Sequence, residues 1–100
     1  MELEALPGGD LIRRGLEDLG AGRVTVESLL VEIGAPRLGR IGIVLPRAGS
    51  AEPEHRLYGL LQAEDDETAH ARYNALLRRL VSFERAAECA RNSTESACWR

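Results

Sequence analysis

Residues 67–91, ETAHARYNALLRRLVSFERAAECAR, decide the fold class. Ala69, Tyr73, Leu76, Leu80, Phe83 and Ala87 recur at alternating steps of four and three residues, which gathers them on one side of an α-helix. In a strand the same residues would scatter over both faces. Leu77 widens the stripe beyond a narrow coiled-coil seam to the face expected of a bundle helix. The pattern therefore predicts a long amphipathic helix that needs other elements to cover it.

Those elements are legible upstream. Pro53 suits the first position of a helix that runs to about Ala63, with Leu57, Leu60 and Leu61 inward. The acidic run Glu64-Asp65-Asp66-Glu67 is expected to break it, with Asp65 or Asp66 capping the helix that follows. Residues 53–91 then form a helical hairpin. Residues 46–52, PRAGSAE, have linker composition. Before them, Asp10 is a candidate N-cap for a helix over 11–20 that carries Leu11, Ile12, Leu16 and Leu19. Thr25 is a candidate cap for a helix over 26–33 with Val26, Leu29, Leu30 and Ile33 at helical spacing. Gly34 stands at the position after that helix, and Pro36 suits the first turn of a brief third one. Ile41 to Leu45 is apolar, broken by Gly42 and stopped by Pro46, and reads as extended or irregular chain packed on the core. The expected architecture is an all-α single domain over 1–100. Residues 1–9 are a leader, 10–45 hold two or three short helices packed on the C-terminal hairpin, and 92–100 are a flexible tail that Trp99 alone could anchor.

Composition narrows function by exclusion. A net charge of −3 opposes general binding to nucleic acid or to an anionic membrane, because both require a strong positive field. All thirteen basic residues are arginine, a bias that reads first as codon composition. The opening MELEALPGGD has neither the basic start nor the apolar run of a secretory signal, so a cytoplasmic location is expected. Cys89 and Cys98 lack zinc-ligand spacing, and in a reducing compartment they remain free thiols. Gly8-Gly9 and Gly20-Ala21-Gly22 lack the strand-to-helix context of a phosphate loop and read as turns. His55 and His70 fall on separate helices without a further ligand pattern, so no metal or cofactor is expected.

Three functional readings remain. The leading one is a non-enzymatic protein-interaction or regulatory module. Glu67, His70, Asn74 and Arg78 are spaced three or four apart and would form one polar stripe beside the apolar seam. Such a stripe combines a carboxylate, an imidazole, an amide and a guanidinium on a rigid support, and suits recognition of a partner or small polar ligand. If the short helices do not cover the seam, Tyr73, Leu76, Leu80 and Phe83 would be buried in a homodimer. The alternative is a DNA-associated regulator with a degenerate helix-turn-helix near residues 25–43, displaying Arg37 and Arg40. Bulky Leu30 at the helix contact, Arg40 at a core position, and Pro36, Gly39 and Gly42 all weaken that match. The third is a small enzyme using Glu67 and His70.

Overall fold

The computed structural model describes residues 5–46 and 51–91, which form five α-helices and no strand. Helix accounts for 74% of these residues. The helices are α1 (Gly9–Gly20), α2 (Val26–Ile33), α3 (Ala35–Arg40), α4 (Pro53–Glu64) and α5 (Ala69–Arg91). The expected all-α bundle is thus the observed one. Residues 1–4 of the leader, 47–50 of the linker and the tail 92–100 with Cys98 and Trp99 lie outside the described residues.

The short α2 is the centre of the bundle. Leu29, Leu30 and Val31 are three successive residues with no exposed surface, so apolar partners surround this helix rather than facing one stripe of it. It packs against α1 on one side and α4 and α5 on the other. Gly15 of α1 makes the first contact close: a side chain there would meet the carbonyl oxygen of Glu27 and Cγ1 of Val31. The core is completed by Ile12, Leu19, Leu38, Ile41, Leu57, Leu61, Ala69, Leu80, Phe83 and Ala87. The Ile41–Leu45 segment runs as irregular chain, with Ile41 buried, Ile43 and Leu45 packed on the core, and Val44 83% exposed.

Thr25 caps α2 as its sequence position suggests, and the cap is tied to α1. Its hydroxyl accepts the Ser28 backbone N–H at 3.1 Å and donates to Oδ2 of Asp18 at 2.8 Å. The Ser28 hydroxyl reciprocally accepts the Thr25 N–H at 2.9 Å. Asp18 Oδ1 also accepts from Nε and Nη2 of Arg23 at 3.1 and 2.9 Å. Hydrogen bonds from Thr25 and Arg23 hold the Asp18 carboxyl below its usual range. One carboxylate thereby fixes the loop between the two helices and the entry to the central one.

Three expected boundaries are corrected. α1 starts at Gly9 with Gly8 in the left-handed region (φ 76°) at its N-cap, so Asp10 sits within the first turn, where its charge complements the helix dipole. Gly34 is not left-handed (φ −84°). It joins α2 directly to α3, and its missing side chain admits Leu80 Cδ1 and Glu84 Oε2, which would lie 2.9 and 3.0 Å from an added Cβ. The break between α4 and α5 occurs where the acidic run predicts it, but neither aspartate caps α5. Asp65 Oδ1 accepts the Glu67 N–H at 3.1 Å within the turn, and α5 begins only at Ala69.

Candidate functional site

The late start of α5 takes Glu67 off the expected stripe: it belongs to the turn over 66–68, and its side chain is exposed there. His70, Asn74 and Arg78 do share a helix face. The Asn74 amide nitrogen lies 3.2 Å from Nε2 of His70, a contact in which it can donate only to a neutral ring. Arg78 is exposed one turn further on. Asn74 and Arg78 join Leu77, Val81, Ser82 and Arg85 along a shallow groove of about 450 Å³. Val81 is 37% exposed, and Leu77 is half-buried.

Among the described residues, the two arginines of this face have no carboxylate partner. Arg13, Arg23, Arg37, Arg72 and Arg79 each reach a carboxylate on their own or a neighbouring element. Among the described residues, Arg78 and Arg85 form no ion pair, although Arg85 contributes to the field at Glu88. The helix that displays them is held from behind by Leu80, Phe83 and Ala87 in the core. A helix backed by the core thus presents Leu77 and Val81 beside two guanidinium groups that form no ion pair among the described residues.

The larger groove, about 600 Å³ between the start of α2, the end of α4 and α5, has a different character. Val24, Val26, Leu60 and Leu76 supply apolar surface, but the arginines at its rim are paired: Arg72 with Glu64 at 2.8 Å and Arg79 with Asp10 at 3.7 Å.

The seam proposed for a dimer divides. Leu80 and Phe83 are buried inside the chain and are therefore unavailable to a partner, whereas Tyr73 and Leu76 are half-buried. Phe83 packs in the cluster that also holds α2, so the short helices cover the C-terminal part of the stripe.

The two arginines of the alternative reading also part company. Arg37 Nη2 donates to Oε1 of Glu88 at 2.8 Å, and its Nη1 lies 3.8 Å from Glu84 Oε1, so it bolts α3 to α5. Arg40 is exposed at the end of the six-residue α3. Glu84, a carboxylate beside the apolar stripe of α5, is 4% exposed. Burial raises its pKa despite the attraction of Arg37, whereas hydrogen bonding to Arg37 lowers that of Glu88. The cluster belongs to the architecture of the α3–α5 contact.

Among the described residues no group of three or more His, Cys, Asp or Glu is placed to hold a metal ion, and no helix is long and apolar enough to cross a membrane. No family model, curated protein or solved structure matches this chain.

Proposed function

We propose that this chain is a non-enzymatic interaction module that binds an acidic segment of a protein partner on the outer face of α5, through Leu77, Val81, Arg78 and Arg85. The observation that carries the reading is the pair of arginines that form no ion pair among the described residues, set beside partly exposed apolar side chains on a helix that the core backs. Interfaces combine an apolar centre with a polar rim, and charge complementarity at that rim selects the partner. Asn74 and His70 extend the same face with groups that donate and accept hydrogen bonds. The overall charge of −3 opposes nucleic acid, whose dense charge needs a wider positive field than one small patch supplies.

The test is binding to an immobilised acidic amphipathic peptide made of leucine–glutamate heptads, at several salt concentrations. The wild type is expected to bind in a salt-sensitive manner. Arg78→Glu/Arg85→Glu is expected to weaken binding at least about tenfold, from the loss and reversal of two charge contacts. Arg14→Glu/Arg56→Glu changes the net charge equally at other exposed sites and is expected to bind as the wild type does. Equal weakening by both double variants would reduce the effect to net charge and overturn the assignment of the face.

A further inference from the structure

A second surface, which shares only His70 with that face, lies where α4 meets the start of α5. A groove of about 340 Å³ is lined there by Glu54, His55, Tyr58, Gly59, Gln62 and Tyr73. The two tyrosine rings meet edge to face, with centroids 5.3 Å apart and planes at 64°. They make a corner of two aromatic surfaces, each ring half-buried. His70 adds a third ring, 6.4 Å from Tyr58.

Apart from His55, which lies 3.8 Å from the Glu52 carboxylate, the groups of this corner favour a cation. Aromatic faces carry the negative end of the ring quadrupole. Glu54, exposed in the first turn of α4, has no cationic partner among the described residues, and no arginine among them lines the groove. Burial and the field of Glu54 together raise the pKa of the Tyr73 hydroxyl above its ordinary value, so that this ring stays neutral at ordinary pH. Gly59 keeps the site open: a Cβ at that position would meet nothing within 4 Å.

We propose that this groove is a receptor for an arginine side chain of a partner polypeptide, its guanidinium lying against a tyrosine face and hydrogen-bonded to the Glu54 carboxylate. A planar guanidinium satisfies both elements at once, because it stacks on an aromatic face while its N–H fork reaches a carboxylate. A compact, strongly hydrated ammonium loses more water for the same contact.

The chain's two tyrosines, Tyr58 and Tyr73, make the site directly observable, since their ring protons are distinct in a nuclear magnetic resonance spectrum. Titration of the full chain with n-butylguanidinium is expected to shift both sets saturably. Glu54→Gln is expected to weaken binding about fivefold, the effect of a solvent-exposed charge contact. Gly59→Leu places a side chain in the groove without obstruction and is expected to abolish the saturable shift while the helical circular dichroism is retained. The neutral isostere n-butylurea is expected to leave the rings unshifted, and n-butylammonium to bind more weakly. Absence of saturation with n-butylguanidinium, equal binding of the urea or the ammonium, or unchanged binding to both variants would each overturn the proposal.

Discussion

Gly15 and Gly59 are both mid-helix glycines, and their neighbours give them opposite consequences. At Gly15 the backbone of α2 occupies the space a side chain would take, whereas Gly59 faces an open groove. Gly15→Ala is expected to destabilise the fold by about 2 kcal/mol, because two helices must separate to admit the methyl group. Gly59→Ala is expected to stabilise it by about 0.5–1 kcal/mol, since it removes the helical cost of glycine and creates no clash. Urea unfolding of the two variants checks both signs. Sequence composition cannot separate these residues, because the distinguishing atom in one case is a carbonyl oxygen twelve residues away, on another helix.

At the level of elements, the contact between α3 and α5 carries the clearest pH signature. Glu84 is buried where Gly34 admits its carboxyl, and burial raises its pKa above the unfolded value. The folded state therefore holds the Glu84 proton more tightly. Its contribution favours folding below the unfolded pKa and is lost as pH rises through the folded one. Glu88 has the opposite sign: its lowered pKa adds stability above the unfolded value, and this is lost as pH falls through the folded one. Glu84→Gln is expected to raise the urea midpoint at pH 7, with the advantage closing as pH falls to about 4, where glutamates are becoming protonated. Unfolding across that range decides it, and a lower midpoint at pH 7 would mean that attraction to Arg37 outweighs burial. The helical position of Glu84 beside an apolar seam is visible in the sequence. Its ion-pair partner, 47 positions upstream in α3, is fixed by how the helices cross.

For the whole molecule, the decisive fact is that one cluster joins α1, α2, α3, α4 and α5 through Ile12, Leu29, Leu38, Leu57 and Phe83. Phe83→Ala is expected to cost about 3–5 kcal/mol, a large part of the stability of a domain this size. Val81→Ser, two residues away on the outer face, is expected to change stability by no more than about 0.5 kcal/mol. Denaturant titrations followed by circular dichroism compare them, and similar losses for both would mean that Val81 is also covered. The contrast separates the internal part of the apolar stripe from the part available to a partner.

Local sequence determined the elements: the helical stretches, the Thr25 cap, Pro53 at the start of α4, and the acidic break before α5. Each depends on residues within about one or two turns, where backbone hydrogen bonding, capping and side-chain periodicity act. The existence of an α5 polar face was legible for the same reason, but its membership was not, since Glu67 fell in the turn when helix formation began at Ala69. Tertiary structure alone decided that α2 is central, that Phe83 is core, that Arg37 is engaged while Arg78 and Arg85 form no ion pair among the described residues, and that Tyr58 meets Tyr73. These outcomes depend on which side chains distant segments bring together, and the crossing of packed helices sets those neighbours through close fits such as Gly15 on α2 and Gly34 on α5.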